Sequence, residues 1–222
     1  AQVLVVVNPG NPTGAYANVE TIQAAAAKAN MPLIADEVFR PFTLDATTAG
    51  ASFAEAPESL CFTLDGVSKR LAAPGIKLGW IRLTGPPELT AQAAAQLDQI
   101  ADAYLTVSTA AAAALPAMLE LEATTQAAVR ARTSINLKLL REVWPGRVRS
   151  AEAGWVAVVD APAPEPDLEL RLLAEHRLSV HPGWFYGLPG NRALVVSLLP
   201  TPDRFAANLE RLIKAVDASP QS

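Results

Sequence analysis

The stretch Val3-Leu4-Val5-Val6-Val7-Asn8-Pro9-Gly10-Asn11-Pro12-Thr13-Gly14 passes from a run of apolar, mostly β-branched residues into a cluster of proline, glycine and asparagine. A short apolar run bounded by turn formers predicts a strand buried on both faces and then a loop. Working outward, Asn18 to Asn30 is alanine-rich and predicts a helix with Asn18 as its N-cap. Leu33-Ile34-Ala35 predicts a second strand that runs into Asp36-Glu37-Val38-Phe39-Arg40. Leu60 to Leu64 predicts a third, followed by Ser68-Lys69, and Lys77 to Leu83 a fourth. Strands separated by helices or long crossovers pair in parallel. Asn11, Asp36 and Lys69 would then meet at the C-terminal edges of parallel strands, where open α/β sheets bind ligands.

Pro86-Pro87 starts a predicted helix reaching about Tyr104, and a second helical run extends from Ser108 to about Val143. Pro116 is expected to kink or interrupt that run, because it lacks a backbone donor and clashes with the preceding turn. Pro145-Gly146 stops it, and a domain boundary is expected near 145. Beyond it, Trp155 to Val159, Leu178 to His181 and Ala193 to Leu199 read as strands of a small, partly antiparallel sheet. Asp167 is expected to cap a helix to about His176, and Thr201-Pro202 to open a last helix to Val216. The fold class is α/β, a mostly parallel sheet followed by a smaller α+β domain.

Half of the 222 residues are hydrophobic and 18% are charged, which excludes a disordered chain. No apolar run approaches the roughly 20 residues of a membrane helix. The net charge of −4 comes with no basic stripe, so nothing on this segment suits nucleic acid. Cys61 is the single cysteine, so no disulfide forms within the chain. Gly-rich phosphate loops, dinucleotide fingerprints and metal-ligand spacings are missing from the sequence, and no metal site is expected. His176 and His181 read as structural or solvated residues. Taken singly, Asn11, Asp36 and Lys69 also have plain readings: a turn residue, a helix cap and a surface cation.

In order and at these spacings, Asn8-Pro9-Gly10-Asn11-Pro12-Thr13-Gly14, Asp36-Glu37-Val38-Phe39 and Ser68-Lys69 with Pro74-Gly75-Ile76-Lys77-Leu78-Gly79-Trp80 resemble the fold type I, class I and II aminotransferases, which use pyridoxal phosphate. His181-Pro182-Gly183-Trp184-Phe185 resembles the family's Pro-Gly-x-x-Phe turn. The resemblance covers nearly the whole chain. It implies that residues 1–145 are the C-terminal part of a large cofactor domain with its long linking helix, and 146–222 the small domain. Lys69 would be the catalytic lysine, holding the cofactor as an internal aldimine and then moving a proton on the substrate. Asp36 would keep the pyridine nitrogen protonated. Asn11 would donate to the ring's 3-oxygen and face the substrate. Phe39, Ser68 and Lys77 would complete the cofactor contacts, Ser68 and Lys77 at the phosphate.

The chain departs from the family pattern at several positions. Phe39 stands where most members have tyrosine, Gly66 where a serine is common, and Lys77 where an arginine is usual. A lysine keeps the charge but lacks the bidentate fork. The family's arginine for the substrate carboxylate aligns with Val196, and Arg192 is a weak substitute, about 13 Å away along an extended strand.

The expected function is therefore a pyridoxal-phosphate-dependent aminotransferase acting on amino acids and 2-oxo acids. Lyase or decarboxylase chemistry on the same scaffold is an alternative. So is the cofactor-sensing domain of an aminotransferase-like transcriptional regulator. The resemblance also implies a homodimer in the cytoplasm. Because the chain opens at Ala1, almost directly in a strand, it is expected to be the later part of a longer protein, and by itself to bind the cofactor poorly.

Overall fold

The computed structural model describes residues 2–44, 50–55, 57–104, 106–149, 151–161, 167–190 and 192–217. The chain divides into two compact units, Ala1–Gly10 with Tyr16–Pro41 and Thr48–Ala127, and Asn11–Ala15 with Phe42–Thr47 and Ala128–Ser222.

In the first unit, β1 (Leu4–Val7), β2 (Leu33–Asp36), β3 (Cys61–Gly66) and β4 (Gly79–Thr84) form one sheet in that order. Helix α1 (Val19–Lys28) crosses from β1 to β2, and the Asn18 side chain accepts the Thr21 N–H at 2.9 Å as its N-cap. β1, β2 and β3 run parallel, as the alternation of strand and crossover predicts. β4 corrects that prediction, for it runs antiparallel to β3. The connection Val67–Leu78 holds only the one-turn helix α2 (Val67–Arg70) and a 3₁₀ turn at Pro74–Ile76. It folds back on itself, with the Val67 N–H bonded to the Leu78 carbonyl at 3.1 Å, and so cannot carry the chain across the sheet.

Leu33, Ala35, Cys61, Val19, Ala26 and Phe53 form the buried cluster of this unit, with Leu4 and Val6 against it. The expected burial of the first strand on both faces is not met. Val5 is 61% exposed and Val7 43%, because alternate residues point to opposite faces and only one face is covered by α1. Helix α3 (Pro87–Tyr104) follows as predicted. The next run is two helices, α4 (Thr109–Leu119) and α5 (Glu122–Val143). Pro116 lies inside α4, and the break falls at Glu120 and Leu121. The bond that proline withholds weakens the last turn of this short helix, which ends three residues later.

In the second unit, β5 (Val156–Asp160), β7 (Ala193–Ser197) and the two-residue β6 (His181–Pro182) form an antiparallel sheet in the order β5-β7-β6. The predicted strand Leu178 to His181 shrinks to its end, because the Leu178 N–H closes helix α6 (Leu168–His176) on the Leu172 carbonyl. Asp167 occupies the N-cap position of α6 with a left-handed backbone and no side-chain cap bond. Phe205, Leu209, Leu212 and Val216 recur along one face of α7 (Pro202–Asp217) and are buried with Leu140, Leu172, Leu194, Val196 and Leu198.

Candidate active site

Val7, Asp36 and Leu64 stand in register across the three parallel strands. The Asn8 N–H donates to the Asp36 carbonyl at 2.8 Å, and the Glu37 N–H to the Leu64 carbonyl at 3.1 Å. β1 and β2 therefore end level, with Asp36 as the last residue of β2, while β3 runs two residues further to Gly66. Its Oδ1 accepts the Val38 N–H at 3.1 Å, the local turn that asparagine and aspartate favour. That turn carries the chain to Phe39. Lys69, the third residue of α2, brings its Nζ to 5.4 Å from the centre of the Phe39 ring. Two positions thirty residues apart in sequence are thereby brought together in the first unit.

Ser68 shares the turn with Lys69, and Lys77 lies exposed at the other end of the same loop. Lys77 has a left-handed backbone, with φ of 58°. Gly66, which opens the turn, explains one departure from the family pattern. Its φ of 177° is extended and suits any residue, but a Cβ there would stand 2.8 Å from the Leu78 carbonyl oxygen and 2.9 Å from the Gly79 Cα. The close approach of β3 and β4 leaves no room for a serine.

Asn11 belongs to the second unit and is exposed. The Asn8–Pro9 and Asn11–Pro12 peptide bonds are cis. Gly14 has φ of 68°, and a Cβ there would meet the Ala153 carbonyl at 2.4 Å. Arg192 donates through Nε to the Ala161 carbonyl at 3.1 Å, beside Asp160. The Arg149 guanidinium grips Asp160 at 2.7 and 3.0 Å and, against a smaller effect of burial, holds its carboxyl below the usual range; the charges of Arg149, Arg192 and Arg147 add to this. Val196 is buried among the residues facing α5 and α7.

Four residues that hold the first unit's edge escaped the sequence reading of single roles. Asn8 is fully buried, donating to the Ala51 carbonyl at 3.2 Å and accepting the Ala17 N–H at 3.0 Å. Glu37 is buried and accepts the Ser52 hydroxyl and the Phe53 N–H, both at 2.7 Å. Asp65 and Arg70 pair on either side of the Lys69 turn. Each has a sequence signal only as a neighbour of a motif residue. Cys61, the first residue of β3, is buried, and burial, with the Glu37 charge, pushes its thiol up against the opposing hydrogen bonds from Thr63 and Thr84. Among the described residues no cluster of histidine, cysteine, aspartate or glutamate is placed to hold a metal ion. No described helix is long and apolar enough to cross a membrane.

The donor set at this edge suits pyridoxal phosphate: an amine for its aldehyde, a carboxylate for its ring nitrogen, a hydroxyl and a second ammonium for its phosphate. An amine and a carboxylate thus stand at the C-terminal edge of a parallel sheet, where open α/β sheets bind ligands. The chain belongs to the family described as aminotransferase class I and II, whose model matches residues 1–199.

Individual relatives agree with this membership. An alanine aminotransferase of Mycobacterium tuberculosis (strain ATCC 25618 / H37Rv) is 37% identical over 90 residues, 39% of this chain and 21% of that protein. The glutamate-pyruvate aminotransferase AlaA of Haemophilus influenzae is 35% identical over 88 residues, 38% of this chain and 22% of that protein. The solved alanine aminotransferase from Pyrococcus furiosus superposes with a TM-score of 0.86 at 18% identity, over 99% of this chain and 58% of that chain. The fold is thus that of the aminotransferases, and the chain spans little more than half of that solved protein.

Proposed function

We propose that this chain carries the cofactor site of a pyridoxal-phosphate-dependent aminotransferase that moves an amino group between amino acids and 2-oxo acids. The observation that carries the reading is the Lys69 amine, held on a closed loop at 5.4 Å from the Phe39 ring, at the same sheet edge where Asp36 ends β2. When bound, pyridoxal phosphate supplies an aldehyde and an electron-withdrawing ring that makes the substrate α-proton acidic. Lys69 would hold the aldehyde through Nζ, and its free amine would be the group that takes the substrate α-proton and returns it. Asp36 would keep a proton on the ring nitrogen through its negative charge. Ser68 and Lys77 bind the phosphate, and Phe39 lines the ring without a hydroxyl to donate.

Asn11, on the second unit, is assigned to the ring's 3-oxygen and the substrate by the family resemblance. Arg192 is the weaker candidate for a substrate carboxylate, since its guanidinium already serves the Ala161 carbonyl. Residues 1–145 are assigned to the large cofactor domain and 146–222 to the small one. A homodimer and a cytoplasmic setting are part of the same proposal, supported by the family resemblance alone. The substrates named for the matched relatives, alanine and glutamate with pyruvate, are the first to test.

The whole protein, supplied with pyridoxal phosphate, L-alanine and 2-oxoglutarate, is expected to form pyruvate and glutamate in equal amounts, and Lys69→Ala to form neither. Ammonia or carbon dioxide released without glutamate would contradict transfer and favour lyase or decarboxylase chemistry.

A further inference from the structure

A turn of four residues does not hold itself together. Nucleating a helix fixes several dihedrals for a single hydrogen bond, and short helices owe their stability to what they pack on. Helix α2, which presents Lys69, has no side-chain cap at its start. The residue next to Lys69 supplies the missing restraint. Arg70 reaches back to the end of β3, where its Nε donates to Asp65 Oδ2 at 2.9 Å and its Nη2 bonds the same oxygen. The other carboxylate oxygen of Asp65 accepts the Gly66 N–H at 2.7 Å, at the first residue of the turn. Through Nη1, Arg70 also bonds Glu122 in the first turn of α5, and Gln126 donates to the same Glu122 oxygen at 2.9 Å. Its guanidinium lies 5.9 Å from the centre of the Trp80 ring on β4. One side chain therefore joins β3, β4 and α5 around the lysine turn.

We propose that Arg70 is a positioning residue for Lys69: its clamp on Asp65 and Glu122 fixes the turn that aims the lysine amine at its ligand. This rests on the reading of Lys69 as the cofactor-binding amine. The clamp is stronger than a surface ion pair, because the Arg70 and Asp65 side chains are only 24% and 11% exposed and the bonds are charge-assisted. Burial opposes the charge on Arg70, but the hydrogen bonds and charges of Asp65 and then Glu122 outweigh it and hold the guanidinium above its ordinary range. The same geometry argues against a tempting alternative. Arg70 is a cation beside the catalytic position, yet three of its five N–H groups bond two carboxylates that already offset its charge, which makes it a poor choice of phosphate ligand.

Two variants test this in the whole protein, Arg70→Met and the milder Glu122→Gln, which keeps side-chain shape and leaves the Asp65 bond in place. In the cofactor-free protein, hydrogen exchange of the amides of Leu71 and Ala72, which close the turn on Val67 and Lys69, is expected to quicken about tenfold in Arg70→Met and less in Glu122→Gln, with the second unit unchanged. In the loaded enzyme, the circular dichroism of the bound cofactor's visible band is expected to shrink. The kcat should fall about tenfold or more while the KM for the amino donor moves less than about twofold, the pattern of a misaimed group rather than a lost contact. Arg70→Lys, which keeps the charge without the fork, should recover only part of each effect. Should Arg70→Met not fold, Glu122→Gln alone decides. Unchanged exchange and an unchanged cofactor signal in Glu122→Gln and in any folded Arg70→Met would overturn the clamp, whatever the wild type transfers. Faster exchange with a weakened cofactor signal supports it even if the wild-type protein proves to catalyse a different reaction.

Discussion

Phe39 follows Asp36 by three residues, and its ring faces the amine of Lys69 at 5.4 Å. A ring at this position contributes its face and its edge but no hydrogen. Adding a hydroxyl would add a donor for the deprotonated, anionic oxygen of the bound cofactor and so favour that form. The Phe39→Tyr variant is therefore expected to lower the pH midpoint of the cofactor's absorbance change, read by spectrophotometric titration of the loaded protein. A midpoint that stays or rises would show that position 39 does not meet the cofactor oxygen. Gly66 makes a different kind of point. The expected family residue there is a serine, and the 2.8 Å left for a Cβ shows that strand packing, not phosphate chemistry, sets the choice.

At the scale of elements, what the sequence made legible was what local pattern controls. Short apolar runs identified β1, β2 and β3, and Asn18 marked the start of α1. The direction of β4 was not legible, because hydrophobic pattern is the same for both directions and the answer lay in how the Lys69 loop closes. Pro116 marked the interruption of the long helical run but not its place, since the proline is absorbed inside α4 and the break falls at Glu120 and Leu121. Of the site, Lys69, Asp36 and Phe39 were legible as motif members. Asn8, Glu37 and Arg70 were not, since their roles depend on partners distant in sequence, such as Ala51, Ser52 and Glu122. Asn136 on α5 is of the same sort. It is fully buried and donates to the Leu198 and Pro200 carbonyls at 2.8 Å, pinning the turn from β7 into α7. Replacing it with leucine leaves those buried carbonyls unpaired, which should cost about 1–3 kcal/mol. Urea unfolding followed by tryptophan fluorescence would read this directly, and a loss below about 0.5 kcal/mol would mean that solvent serves the turn instead.

At the scale of the whole molecule, the candidate residues fall on two units, each with a core of its own. The first, built on a parallel sheet, carries Asp36, Phe39, Ser68, Lys69 and Lys77, and the second carries Asn11 and Arg192 on a separate core of α5, α6, α7 and an antiparallel sheet. Membership of the aminotransferase class I and II family is fixed over residues 1–199. The chemistry attributed to that membership depends on one amine. The most direct measurement is to incubate the whole protein with pyridoxal phosphate, reduce it with borohydride, digest it and map the modified lysine by mass spectrometry. A single stoichiometric label is expected on Lys69, absent from Lys69→Ala. A folded protein that stays unlabelled at Lys69, or that carries its label on Lys28, Lys77, Lys138 or Lys214 instead, would contradict it.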